Sequence, residues 1–335
     1  VPGELIVHGS ANLLNRGLGD PGLDQELRDR RDLQVRVLTQ ADAPAEQRAH
    51  SWSVQEIVAT SEEAAARELI QLADACGMTC FHTQPPWDAA PTSKHVAVAR
   101  AESWASRTGH RFYVGLMWRP DIEAVPGTFQ SYGRGRSRLW HCLAAVELDY
   151  GGSRMRACSW HADVFDPQWR ISEAYQIAWI ANNGNVPTLI GCDSNSLPAS
   201  RVGVPWSRRW RRPWQPTTWS DPDPYPGTGW FPDRVHQLDP TASGVRGDRR
   251  ADRILVDPQF GQLIDTAVEA GRPLECSTGH WPTDRHPPRR VDRIYGTHHF
   301  RGRVAGFEAI STDAAKRASD HLPVLAHVQL GDTPP

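Results

Sequence analysis

The stretch from residue 155 to residue 195 constrains this chain more than any other. Residues 155 to 161 have the alternating character of a strand. Between 167 and 181, Ile171, Ala174, Tyr175, Ala178 and Trp179 recur at spacings of three and four, which is the signature of an amphipathic helix. Residues 186 to 190 are a short apolar run that ends in Gly191-Cys192-Asp193-Ser194-Asn195. Strand, helix and strand in this order predict an α/β unit, and such units collect polar residues at the carboxyl ends of their strands. Asp193 and Asn195 occupy that place.

The flanking sequence is mostly of strand type. Residues 5 to 10 lead into Asn12, and residues 16 to 34 are charged and read as a loop with at most a short helix. Residues 51 to 58 form a second short strand bearing Gln55-Glu56. Ser61-Glu62-Glu63 then caps a helix with Ala65, Leu69, Leu72 and Ala73 on its apolar face, stopped by Gly77. Runs at 79–82, 95–99, 112–118 and 138–148 have β-branched, aromatic or alternating character, with Gly, Pro and Asp between them. Later strands are expected at 290–295, 307–310 and 322–330. Residues 197 to 250 break the pattern with nine prolines and five tryptophans, a density that excludes a regular helix or a central strand. They read as an extended insertion across the surface of a single domain spanning residues 1–335.

Composition bounds the function. A hydrophobic content of 39% and a charged content of 23% are those of a globular protein with a sizeable core. The formal charge of -2 makes any anion-binding surface local. Lys94 and Lys316 are the only lysines among 37 basic residues, so cation chemistry here is arginine chemistry. Six cysteines are too few for a disulfide scaffold and none sit in a CxxC pair. A reducing, cytoplasmic setting is the natural expectation, with secretion left open by the even cysteine count and an N-terminus that lacks Met. No apolar run is long enough for a membrane span, and a monomer is expected.

Five polar clusters begin or end the predicted strands: Asn12, Gln55-Glu56, His161, Asp193-x-Asn195, and Asp292 with Asp320-His321. Hard divalent cations take carboxylate oxygens, which Glu56 and Asp320 can supply. An imidazole backed by an acid, as in His321 with Asp292, serves as a base or as a phosphate-orienting donor. Asn12 and Asn195 offer neutral donors that do not repel phosphoryl oxygens.

In this order, Asn12, Gln55-Glu56, His161, Asp193-Ser194-Asn195, Arg290-Val291-Asp292-Arg293-Ile294 and Ser319-Asp320-His321-Leu322-Pro323-Val324, the chain resembles the endonuclease/exonuclease/phosphatase (DNase I-like) superfamily over nearly its whole length. Arg170 with Glu173-Ala174 on the helix before Asp193 is similar as well. The resemblance implies an α+β fold: a four-layered α/β sandwich of two packed, mostly antiparallel sheets flanked by helices. It also implies phosphoester hydrolysis dependent on Mg²⁺ or Mn²⁺. By position, Glu56 is implied as the principal metal ligand with Asn12 and Asp320 nearby. Asp193 is implied to orient or deprotonate the attacking water, Asn195 to hold a phosphoryl oxygen, Asp292 to fix His321 against the phosphate, and His161 to face the phosphate. The sequence departs from the family in having Cys192 where Gly usually precedes the Asp, and Ala11 where an aromatic often precedes the Asn. Asn15 competes with Asn12 for its role.

Substrate is a separate question. Arg208, Arg209, Trp210, Arg211 and Arg212 in the insertion combine cations with stacking planes, which suits nucleic acid. A nuclease or phosphodiesterase on nucleic acid is therefore the leading expectation. A phosphatase or phosphodiesterase on a small metabolite or lipid head group is the alternative, and an inactive binding module the third. The same tryptophans can instead anchor the loop while the arginines pair with Asp221, Asp223 and Asp233. The other histidines, including His141, carry no motif and read as structural.

Overall fold

In the computed structural model the described residues are 4–19, 24–100, 109–133, 137, 139–203, 217–225, 237–239, 246–271, 274–284 and 286–331. In chain order the elements are β1 (Glu4–Arg16), α1 (Gln25–Thr39), β2 (Ser51–Ala59), α2 (Glu62–Ala75), β3 (Val98–Arg100), β4 (Arg111–Trp118), β5 (Glu123–Ala124), β6 (Gln130–Tyr132), β7 (Leu143–Tyr150), β8 (Ser153–His161), α3 (Pro167–Asn182), β9 (Thr188–Asp193), β10 (Arg201–Gly203), β11 (Thr217–Trp219), α4 (Arg250–Val256), β12 (Ile264–Asp265), α5 (Thr266–Glu269), β13 (Asp292–Gly296), β14 (Val304–Ala309), α6 (Asp313–Ala318) and β15 (Val324–Leu330).

Two sheets result. One has the order β14-β15-β1-β2-β4-β3, the other β12-β13-β9-β8-β7-β5 with β6 also on β7. Each contains a single parallel pair among antiparallel ones, β1 with β2 and β8 with β9. Those parallel pairs need crossovers, and α1 and α3 lie within them. Because β1 pairs with β15, the two ends of the described chain share one sheet.

Alternation along the strands builds four layers. In β7, Ala144, Val146 and Leu148 join Ile6, Leu116, Trp118, Val324 and Val328 in the core between the sheets. Leu143 and Ala145 point the other way, to Ala174, Ile177 and Ala178 of α3 and Leu255 of α4. On the far side, α2 seats Ala65, Leu69 and Leu72 on Val54, Tyr113 and Met117. The order is helices, sheet, sheet, helices, a four-layered α/β sandwich.

The core between the sheets is not apolar throughout. Along β1 the inward positions run Ile6, His8, Ser10, Asn12, so polarity rises toward one end. His8 meets Ser51 Oγ at 2.8 Å and Ser53 Oγ at 3.0 Å, and burial pushes its imidazole down to about 3, leaving it neutral. Ser53 Oγ donates to the Cys158 carbonyl, Gln55 Nε2 to Ser159 Oγ and Ser159 Oγ to the Val54 carbonyl, so the seam is cross-linked between sheets. Small residues allow this approach. Gly191 faces the seam, while Cys192 is buried against the α3 side, which accommodates the Cys in place of the family's usual Gly.

Three elements differ from expectation. The run at 79–82 forms no strand, only isolated bridges from Thr79 to Trp118 and from Phe81 to Val96. Residues 25–39 form a fifteen-residue helix, capped by Asp24 accepting from the Glu26 and Leu27 amides. Only Gln34, Val37 and Leu38 are buried in it, so apolar periodicity is nearly absent from the sequence. The strand expected from 138 begins only at Leu143, because the Trp140 amide is taken by Glu173 Oε1 at 2.6 Å. Within the insertion, β10 and β11 pair as their own ribbon and Tyr225 and Leu238 are buried with Leu197, so the described parts are docked on the body.

The seam supplies a stability test. A Cβ on Gly191 would lie 2.6 Å from Ser53 Cβ and 2.9 Å from Ser10 Cβ. Gly191→Ala is expected to destabilise the fold by about 1–3 kcal/mol through overpacking, measured as a lower midpoint in urea unfolding.

Candidate active site

At the polar end of the seam the strands of both sheets deliver side chains to one cavity of about 300 Å³, lined by Asn15, Glu56, His141, His161, Asp193, Asn195, Asp320 and His321 among others. The register shifts where β1 leaves β2 after Asn12 and where β2 leaves β4 after Val54. Such bulges re-aim side chains. Among the described non-glycine residues six have positive φ, and four of them are here: Leu14 at 48°, Asn15 at 56°, Glu56 at 60° and Asn195 at 46°. A left-handed Glu or Leu costs on the order of 1–3 kcal/mol, and the surrounding bonds hold them there.

Asn12 is the centre of those bonds. Its Nδ2 donates to Glu56 Oε1 at 2.9 Å and to Asp193 Oδ2 at 3.1 Å, and its Oδ1 accepts from the Leu14 amide at 3.0 Å. The Asn15 amide donates to Glu56 Oε2 at 3.0 Å. Asn12 thus enters as a brace that holds two carboxylates, its oxygen already engaged, and Asn15 contributes its backbone. Burial pushes the Glu56 carboxyl up, against the His161 charge and the Asn12 bond that pull it down.

Asp193 accepts from the Asn195 amide on Oδ1 at 3.1 Å, and its Oδ2 lies 3.7 Å from His161 Nε2 and 3.7 Å from His321 Nδ1. Burial raises this carboxyl, but His321 and His161 outweigh it and hold it below the ordinary range. Asn195 donates one amide hydrogen to the Ala162 carbonyl at 3.2 Å, leaving the other for the cavity. Arg293 Nη2 donates to Ser194 Oγ at 2.6 Å and its Nη1 pairs with Asp252, fixing the Asp-Ser-Asn turn from below.

His321 Nδ1 is 2.8 Å from Asp292 Oδ2. A carboxylate only accepts, so Nδ1 carries the proton. Burial disfavours charge on this ring, yet Asp292 and Asp193 together hold it well above its ordinary value. The charged ring also has a proton on Nε2, free to donate to an anion. Ser277 Oγ steadies Asp292 by accepting from its amide at 3.0 Å.

One residue of the site carries no motif of its own in the sequence. His141 stacks on His161 with centroids 4.2 Å apart and planes 10° from parallel. The arrangement is set by Glu173, whose two oxygens accept from the Trp140 amide and, at 2.9 Å, the Asp163 amide, bracing the loops that precede β7 and follow β8. Burial pushes the Glu173 carboxyl up to about 8. The occurrence of Arg170 and Glu173 together on α3 was the available hint.

The donor set fits a hard divalent cation. Oxygens of Glu56 and Asp193 and a nitrogen of His161 lie within 4.8 Å of one another, and Mg²⁺ commonly takes one or two carboxylates. Asp193, Asp292 and His321 form a second such group, in which His321 Nδ1–H is already engaged as a donor to Asp292. Asp320 belongs to neither group; it lines the cavity and its charge pushes Glu56 up. Residues 208 to 212 lie outside the described residues. All six cysteines are free thiols, five of them buried. Among the described residues no helix is long and apolar enough to cross a membrane.

No protein-family model matches the chain, and no curated protein matches it. Solved structures do. An endonuclease/exonuclease/phosphatase from Bacteroides vulgatus is 13% identical, with a TM-score of 0.57 over 98% of this chain and 99% of that one. D. rerio TDP2 complexed with single strand DNA product is 11% identical, with a TM-score of 0.53 over 96% and 98%. A Bacteroides thetaiotaomicron mannosyl-6-phosphatase is 12% identical, with a TM-score of 0.53 over 96% and 98%. The chain shares the fold of these endonuclease/exonuclease/phosphatase structures.

The raised His321 value has a sign that can be checked in chelated protein. Stability that rests on its charge is full below about pH 6.5, the unfolded value, and is lost as pH rises through the folded value. NMR titration is expected to find His321 charged at pH 7, and Asp292→Asn is expected to lower its pKa; an unchanged titration would refute the pairing.

Proposed function

We propose that the protein is a divalent-metal-dependent phosphoester hydrolase. The single observation that carries this reading is the Asn12 amide bridging Glu56 and Asp193 beside the Asp292–His321 pair. Glu56 and Asp193, with His161 adjacent, would hold the cation, which when bound supplies Lewis-acid stabilisation of phosphoryl oxygen charge. Four acids, Glu56, Asp193, Asp284 and Asp320, line the cavity, so a cation is what makes it hospitable to phosphate.

The chain's own groups then divide the work. Asp193, held in its anionic form, accepts a hydrogen bond from the attacking water and aligns it. His321 Nε2–H and the free Asn195 amide hydrogen donate to non-bridging oxygens, where charge accumulates during in-line attack. Asp292 keeps His321 charged and oriented. The stacked His141 holds His161 in its plane.

The favoured substrate is nucleic acid. Support comes from the Arg/Trp run at 206–214 in the sequence and from the β10–β11 ribbon, where Arg201, Arg249 and Arg253 approach the Trp219 ring at 4.3, 5.3 and 5.5 Å. The second reading, a small phosphoester, draws on the cavity of about 300 Å³, at the low end for ligand sites.

Incubation with Mg²⁺ or Mn²⁺ and plasmid, single-stranded DNA, RNA or bis-p-nitrophenyl phosphate tests both. Asp193→Ala and His321→Ala are each expected to lower kcat by about 10²–10³-fold; no turnover of any substrate by the unmodified protein would sink the proposal. Mg²⁺ should raise the melting temperature of the unmodified protein and not that of Glu56→Gln. Deleting residues 206–214 should weaken DNA binding and flatten its salt dependence, read by fluorescence titration from 50 to 200 mM salt.

A further inference from the structure

Two donors in the cavity wall are not used by the chemistry above. Gln237 belongs to the insertion and is 4% exposed, and Arg289 precedes β13 and is 5% exposed. Both line the catalytic cavity. Gln237 Oε1 accepts from Arg289 Nε at 3.0 Å and from Tyr225 Oη at 3.1 Å. An arginine only donates, so the amide orientation is fixed: the oxygen faces Arg289 and the Nε2 faces away from it. That Nε2 has no hydrogen-bond partner among the described residues.

Arg289 is similarly half-engaged. Its Nη1 donates to the Pro287 carbonyl at 3.3 Å and stands 3.8 Å from Asp284 Oδ2, while Nη2 has no partner. Neighbouring residues of an extended segment face opposite ways. Arg290 therefore turns into the body, where Asp221 and Asp265 hold it, and Arg289 turns with Val291 to the cavity. Among the described residues that line the cavity, Arg289 is the one arginine, in a wall otherwise rich in acids.

We propose that Gln237 Nε2 and Arg289 Nη2 form a donor-only subsite for a second phosphate, one carried by the substrate beside the ester that is cleaved. The subsite deepens the hydrolase reading and rests on it for the word substrate. Two unengaged donors on buried side chains, with the Asp284 carboxylate turned to Arg289 Nη1 on the other side of the guanidinium, favour an anion over a hydroxyl group, which needs to donate as well as accept. An arginine and an amide suit the spread oxygens of phosphate. The second phosphate can belong to a polynucleotide or to a free bisphosphate; the chemistry is shared.

The test is calorimetric titration, in excess Mg²⁺, with adenosine 3′,5′-bisphosphate, with a 5′-phosphorylated thymidine trinucleotide and with orthophosphate. ³¹P NMR of the same samples reports hydrolysis. The unmodified protein is expected to bind at least one of the two polyphosphates about ten-fold or more tightly than orthophosphate. Arg289→Gln and the isosteric Gln237→Glu are expected to remove about ten-fold of that preference. Gln237→Glu keeps the volume of the wall and replaces a donor by an acceptor that pairs with Arg289, so the prediction survives if Arg289→Gln folds poorly. Loss confined to the bisphosphate supports a free metabolite, and loss confined to the trinucleotide supports a polynucleotide. Variants that discriminate like the unmodified protein would overturn the subsite. Discrimination without any ³¹P-detected hydrolysis would leave the subsite standing and remove the hydrolase.

Discussion

One amide holds the site together. Asn12 Nδ2 reaches Glu56 on its own sheet and Asp193 on the other, so a single side chain ties the two layers where they open to solvent. Two buried carboxylates facing each other repel, and a neutral donor between them lessens that repulsion without using a charge. The rest of the seam leads up to this point: Ser51, Ser53, Gln55 and Ser159 join the sheets by hydrogen bonds, and His8 and Ser10 bond to Ser51, Ser53 and Gln55 within their own sheet. A polar core of this kind is directional. It fixes the spacing and register of the sheets, and through them the separation of Glu56 from Asp193.

Backbone strain is concentrated at the same end. Leu14, Asn15, Glu56 and Asn195 are left-handed within a few residues of the carboxylates, and each is held by a bond that the strained conformation permits. The Asn15 amide on Glu56 and the Asn195 amide on Asp193 are the two clearest. Rigid strands thus pay for irregular ends. Glu173 performs the same office on the second sheet, gathering the loops of His141 and His161 onto one carboxylate.

Much of this was legible in the sequence because strands announce themselves by alternation, and polar residues at their ends are conspicuous. Asn12, Glu56, His161, Asp193, Asn195, Asp292, Asp320 and His321 all end within or beside one cavity, although Asn12 acts through its nitrogen and Asp320 stands apart from the ligand groups. Helix α1 was not legible, since a helix that buries three residues leaves almost no periodic trace. Nor was His141. It sits in a loop that resembles strand sequence, and its place depends on Glu173 holding the amide of the preceding Trp140 across 33 residues of sequence.

The insertion changes meaning once its described parts are placed. Arg290 lies two residues before Asp292, and it is held by Asp265 of the body and Asp221 of the insertion, all three buried. Removing one partner of a buried ion pair is strongly destabilising, so Asp221 anchors the insertion to the segment that carries the acid of the His321 pair. Gln237, sixteen residues after Asp221, enters the cavity wall and grips Arg289, the residue before Arg290. Two adjacent arginines therefore look opposite ways and are met by the same insertion on both faces. The carboxylates and histidines that line the cavity come from strand ends and loops of the two sheets. Gln237 brings into the cavity wall a segment that grips those strand ends from outside, and a change at Gln237 can proceed without disturbing the carboxylates that Asn12 holds.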